Sequence, residues 1–112
     1  MIIFHNPRCA KSRETLELLN QQCEHVTIRE YLKEPPTQKD LTEILKKLSI
    51  KPEELIRKKE PLYQEKYKNK KLSGKEWIKV MSENPILIER PIVISGNKAV
   101  IGRPPEKVLD IL

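Results

Sequence analysis

The chain reads as an α/β protein built on a mixed four-stranded sheet, in the order βαβ, helical insertion, ββα, with helices on both faces. Three observations predict it. A short apolar run, a helical pattern and an alternating run occur within about thirty residues, the spacing of a parallel βαβ unit with a right-handed crossover. Late in the chain, Ile92-Val93-Ile94 and Ala99-Val100-Ile101 flank a turn around Ser95-Gly96-Asn97-Lys98, a hairpin signal. Between these halves, helix-start residues precede stretches with helical periodicity.

Ile2 to His5 is apolar, bounded by Asn6-Pro7, and suits a buried strand. The first helix is predicted from about Cys9 or Ala10 to about Gln22. Val26 to Tyr31 alternates, with Val26 and Ile28 on one face, and reads as the second strand. Glu34-Pro35-Pro36 breaks the pattern. Thr37 and Asp40 form a capping pair that opens a helix with Leu41, Ile44, Leu45 and Leu48 on one face. Pro52 fits the first turn of a short helix through Leu55 and Ile56. Gln64 to Lys71 is lysine-rich and reads as solvated. Ser73 and Glu76 have capping-box spacing ahead of a core stripe of Trp77, Ile78 and Met81, and Asn84-Pro85 ends that helix. After Gly102-Arg103-Pro104-Pro105, a closing helix is expected to bury Val108, Leu109 and Leu112.

With 112 residues the chain is expected to be one domain, 1–112, with the helical insertion at about 37–84. Charged residues make up 34% and the formal charge is +6, which favours anionic partners without choosing among them. No window approaches ~18 consecutive apolar residues, so no membrane span is expected. The N-terminus lacks the pattern of a signal peptide, and the expected compartment is the cytoplasm. The two cysteines, Cys9 and Cys23, are too few for a disulfide scaffold and are expected to be free thiols there.

The stretch His5-Asn6-Pro7-Arg8-Cys9-Ala10-Lys11-Ser12-Arg13 organises the functional reading. It lies between the first strand and the first helix, so Cys9 should sit at a helix start, among free N–H groups and the positive end of the helix dipole. Those groups favour thiolate over thiol and should lower the Cys9 pKa. Arg8 and Arg13 add positive charge. A sulfur nucleophile in an anion-binding loop points to attack on an oxyanion or on a disulfide. A lone cysteine is most often a small buried hydrophobe, but this one has anion-binding neighbours. Cys23 is the reverse case: it would stand roughly four helical turns, about 20 Å, from Cys9, which argues against a resolving role. His25 reads as a strand-edge residue. His5 either closes the strand with a satisfied ring, or bonds the loop or helps keep the Cys9 thiolate formed. Ser12 is expected to donate its hydroxyl to Cys9 or to cap the helix. A cysteine there would have made a Cys-x-x-Cys pair, so the motif is monothiol and needs an external reductant. The Lys66–Lys71 run has no nucleic-acid-binding motif behind it and reads as a solvated face.

The element order, with a cysteine at the first helix start, resembles the thioredoxin fold. The motif His5-x-x-x-Cys9-x-x-x-Arg13 resembles that of the glutaredoxin-coupled arsenate reductase (ArsC) family. So do Tyr31-Leu32-Lys33-Glu34-Pro35-Pro36, Leu55-Ile56-Arg57-Lys58, Asn84 to Val93, and Gly102-Arg103-Pro104 followed by Val108-Leu109-Asp110. The resemblance implies an enzyme in which Cys9 is the nucleophile, with His5 and Ser12 beside it, and Arg57, Arg90 and Arg103 bind the oxyanion. Asn6, Arg13 and Pro91 would support the loop, and the Arg90–Pro91 bond would be cis. A guanidinium suits the anion role because its planar fork stays charged and can hold two oxygens at once. The implied substrate is arsenate or a similar oxyanion. The implied reductant is glutathione with glutaredoxin, or another small-thiol system, glutathione acting as a co-substrate. No bound cofactor or metal is expected, because neither a ligand cluster nor a Gly-rich phosphate loop is present. Two other functions fit the same fold: an Spx-like regulator that binds RNA polymerase, although such proteins carry Cys-x-x-Cys where this chain has Cys9 and Ser12, and a thiol oxidoreductase acting on mixed disulfides. Typical family members continue beyond the position of Leu112.

Overall fold

The computed structural model describes residues 1–22 and 25–112, so the expectation for Cys23 lies outside the described residues. These fall into two compact units: Met1–Glu34 with Arg90–Leu112, and Pro35–Glu89.

The first unit holds the sheet. Its strands are β1 (Ile2–Phe4), β2 (Thr27–Arg29), β3 (Ile92–Ser95) and β4 (Lys98–Ile101), in the order β2-β1-β3-β4. β1 runs parallel to β2 and antiparallel to β3, and β3 and β4 form the hairpin, with Ile92 opposite Ile101 and Ser95 opposite Lys98. Gly96 takes the positive φ (59°) that its turn requires. Helix α1 (Ala10–Gln22) completes the βαβ unit. Ile3, Leu19, Val93, Val108 and Ile111 make its core, with Leu16, Val26 and Val100 packed against them. This is the mixed sheet expected from the sequence, in the strand order of a thioredoxin-like fold.

Two expectations in this unit need correction. β2 is shorter than Val26 to Tyr31, and of the two apolar residues read onto one face Ile28 is exposed while Val26 packs on the core. β2 is an edge strand, and it ends where Lys33 N and Glu34 N turn back onto the Glu30 carbonyl at 3.0 and 2.9 Å. The closing segment Pro105–Ile111 is a 3₁₀ helix that buries Pro105, Val108 and Ile111, whereas Leu109 and Leu112 are exposed. Three residues per turn line up every third side chain, so a stripe read at the α period falls on the wrong residues.

The second unit is helical and includes the segment expected as an insertion. Helix α2 (Gln38–Leu48) opens with the Thr37/Asp40 capping box and buries Leu41, Ile44 and Leu45. A 3₁₀ turn follows at Pro52–Leu55, then α3 (Pro61–Lys66), α4 (Gly74–Glu83) and a second 3₁₀ turn at Pro85–Leu87. Helix α4 opens with the Ser73/Glu76 box and buries Trp77 and Met81; it packs on α2 and on both 3₁₀ turns. The lysine-rich stretch is not wholly solvated. It contains the end of α3, and Tyr63 and Tyr67 lie half-buried against Trp77, with ring centroids 6.2 and 6.0 Å away. The Trp77 indole N–H donates to Glu53 at 3.2 Å. Among the described residues no helix is long and apolar enough to cross a membrane.

Candidate active site

The loop between β1 and α1 is built by its own backbone. Cys9 N donates to Asn6 O at 3.0 Å, and Arg13 N donates to Cys9 O at 3.0 Å, the first helical bond of α1. Cys9 is therefore the N-cap residue, and its sulfur stands where a capping oxygen would accept from the first turn. Asn6 Oδ1 accepts from Arg8 N at 3.0 Å, and Arg13 Nη1 donates to Pro7 O at 2.9 Å. Asn6 and Arg13 thus hydrogen-bond within the loop, while Arg8 is exposed.

Burial pushes the Cys9 thiol up, but stabilising contacts outweigh it, and the pKa falls below its ordinary value. Those contacts are the Ser12 N–H, the hydrogen bond and charge of Arg90, and the Lys11 N–H. Arg103 Nη2 also reaches Cys9 Sγ at 3.6 Å, and its Nε donates to Arg90 O at 2.7 Å. The loop at the start of α1, Arg90 two residues before β3 and the segment after β4 converge on one sulfur. Pro91 follows Arg90 through a cis bond, as expected; Arg103–Pro104 is also cis, which the sequence reading missed.

The Ser12 hydroxyl does not donate to Cys9 or cap the helix, the roles expected of it, whereas His5 bonds the loop, one of its expected roles. The Ser12 hydroxyl is fully buried and pairs with His5 Nδ1 at 2.6 Å, while Asn6 N donates to the same oxygen at 3.0 Å. Its side chain serves His5 and the loop backbone; Ser12 acts on the Cys9 sulfur through its backbone N–H. Burial lowers the His5 pKa, Glu30 raises it and Arg13 lowers it, with a net fall below the ordinary value. The ring is a neutral partner of Ser12 at neutral pH.

Arg57 belongs to the second unit, and its surroundings are described there. Its N–H donates to Leu87 O at 2.7 Å, its Nε lies 3.5 Å from Glu60 Oε2, and its Nη1 is buried with no hydrogen bond among the described residues. One residue that the sequence reading left without a role, Tyr31, is buried within reach of the Arg90 and Cys9 charges. Its only sequence signal is its place in the Tyr31–Pro36 motif.

A four-stranded mixed sheet with a cysteine at the start of its first helix, and two arginines from distant segments beside that cysteine, defines a protein of the thioredoxin-like fold class. Comparison with known proteins narrows the class. The ArsC family model matches residues 4–111, and the chain belongs to the ArsC family. It is 48% identical to a protein of Haemophilus influenzae named arsenate reductase, over 100% of this chain and 98% of that protein. It is 38% identical to the arsenate reductase of Escherichia coli K12, over 98% of this chain but 79% of that protein. Some relatives thus extend beyond the shared region, whereas the Haemophilus protein is matched almost throughout. Among solved structures, the arsenate reductase from Vibrio cholerae superposes with a TM-score of 0.94 at 42% identity, over 99% of this chain and 96% of that one.

Proposed function

We propose that this protein is an arsenate reductase that uses Cys9 as its single nucleophile and an external thiol as reductant. The observation that carries the reading is the guanidinium of Arg103 at 3.6 Å from Cys9 Sγ, beside an Arg90 whose charge lowers the thiol pKa. Two cations beside an activated sulfur attract a tetrahedral oxyanion, and they stabilise charge that develops as sulfur attacks. Arg57 joins the proposal on its motif alone.

In the proposed reaction the Cys9 thiolate attacks arsenic, an S–As bond forms, and an oxygen leaves as hydroxide or water. A small thiol then attacks the adduct. Arsenic passes from As(V) to As(III) as two thiols are oxidised to one disulfide, so arsenate and two thiols give arsenite, disulfide and water. Glutathione is the proposed co-substrate, with glutaredoxin completing the release. A cleft of about 260 Å³ beside the loop supports that choice. Arg8, Lys33 and Glu30 line it, with Lys33 and Glu30 paired to each other at 3.7 Å, and these charges would meet the carboxylates and ammonium group of the tripeptide. No bound cofactor enters the scheme, and the proposed compartment is the cytoplasm.

The test is arsenate-dependent oxidation of glutathione, with and without glutaredoxin, by wild type, Cys9→Ser and Arg90→Ala. Turnover by wild type, none by Cys9→Ser and a strongly reduced rate for Arg90→Ala are expected. Absence of arsenate turnover with every small thiol, together with capture of RNA polymerase by the purified protein, would overturn the proposal in favour of a regulator.

A further inference from the structure

Two buried polar atoms of the first unit have no hydrogen bond among the described residues: the hydroxyl oxygen of Tyr31 and Nε of Arg90. Tyr31 is only 1% exposed. Leaving a buried donor unpaired costs roughly 1–3 kcal/mol, and native proteins carry few such groups, so each needs an explanation.

Here both belong to the same place. The Tyr31 hydroxyl is pushed up to about 12: burial and the Cys9 charge raise it, and the Arg90 charge and the Arg90 and Asn6 side chains facing it offset only part of that rise. The phenol therefore stays protonated at neutral pH and lies within electrostatic reach of the Cys9 sulfur. Arg90 and Asn6 face its oxygen as donors, outside good hydrogen-bond geometry, and a donor cannot accept the phenolic hydrogen. That hydrogen needs an acceptor, as does the Arg90 Nε–H. An anion over Cys9 offers acceptors to both.

We propose that the Tyr31 hydroxyl is an uncharged oxyanion ligand of this site, donating a hydrogen bond to one oxygen of the arsenate over Cys9, alongside the Nε–H of Arg90. The proposal rests on the arsenate reading of the site. It adds a neutral donor to the arginines, and it explains a buried tyrosine in a stretch otherwise concerned with ending β2. Tyr31 keeps its proton throughout; it binds the anion and transfers nothing.

Tyr31→Phe tests it, because the substitution removes only the unpaired hydroxyl and should leave the fold intact or more stable. Four quantities are measured on wild type and variant: KM and kcat for arsenate, protection of Cys9 from iodoacetamide by arsenate, the pH midpoint of Cys9 alkylation without arsenate, and the melting temperature. The expected result is a weakening of arsenate KM and protection by about ten- to hundredfold, the worth of a hydrogen bond to a charged group. The alkylation midpoint and the KM for thiol stay in place, and the melting temperature is unchanged or higher. Unchanged arsenate binding overturns the proposal. A raised alkylation midpoint overturns it too, by assigning the phenol to the sulfur. So does a fall in melting temperature that accompanies the loss of binding, which would make the phenol a packing element for Arg90. A wild type that neither turns over arsenate nor is protected by it overturns the arsenate reading and this proposal together; an active wild type with an unaffected variant overturns this proposal alone.

Discussion

Arg103 places Nη2 3.6 Å from Cys9 Sγ while its Nε is held by the Arg90 carbonyl at 2.7 Å, so one guanidinium binds both the nucleophile and the chain that carries the second arginine. A lysine has one point of charge and no fork, and it cannot make both contacts. Arg103→Lys is therefore expected to slow alkylation of Cys9 at neutral pH although the charge is kept. Arg90→Ala removes a hydrogen bond and a charge that lower the thiol pKa, and it should move the alkylation midpoint up toward 9.0. The rate of iodoacetamide modification against pH reads both. A midpoint unmoved in Arg90→Ala would mean that the helix N-terminus and Arg103 ionise the sulfur without Arg90.

His5 and Ser12 predict a pH dependence of stability. The folded His5 pKa is lowered below 6.5 by burial, so between 6.5 and that lower value the unfolded chain binds more protons than the folded one. Stability contributed by the neutral ring is complete above 6.5 and is lost as pH falls through that window. His5→Asn keeps a polar group facing Ser12 and does not titrate. Its melting temperature should fall less steeply than that of wild type on acidification below 6.5, and parallel profiles would reject the assignment.

Gly102 is needed for space. A Cβ there would stand 2.8 Å from Thr15 Oγ1, 3.0 Å from Thr15 Cγ2 and 3.1 Å from Pro91 Cγ. Gly102→Ala should cost about 1–3 kcal/mol, as overpacking does, and should slow Cys9 alkylation because the displaced chain carries Arg103. Thr15→Ala in the same background removes both nearest atoms and should recover part of the loss, measured by denaturant unfolding. Full additivity of the two substitutions would show that they do not meet.

What could be read from the sequence follows the range of the interactions concerned. The Thr37/Asp40 and Ser73/Glu76 boxes and the Gly96 turn are set by neighbours within a few residues, and the structure matches them. The Cys9 environment was legible in part, because the N–H groups of Lys11 and Ser12 belong to its own helix start. Arg90 and Arg103 were legible only through family resemblance, since nothing local shows that a residue 94 positions away will face the sulfur. The Ser12 hydroxyl was misassigned because its partner, His5, is seven positions back across the loop. The Tyr63/Tyr67 pair against Trp77 was hidden by the lysines around it, although its i, i+4 spacing was a usable helical signal.

The closing segment offers the sharpest contrast between the two kinds of reading. At the α period, Val108, Leu109 and Leu112 would share a buried face. In the 3₁₀ helix Pro105–Ile111, Val108 is fully buried against the core with Ile111, and Leu109 is 45% exposed. Val108→Ala deletes two buried methyl groups and should cost about 1.5 kcal/mol or more. Leu109→Ala removes a larger side chain from a mostly solvated position and should change stability by no more than about 0.5 kcal/mol. Denaturant midpoints of the two variants decide between the periods: the smaller side chain must prove the costlier one to lose, and equal losses would mean that the segment winds as an α-helix.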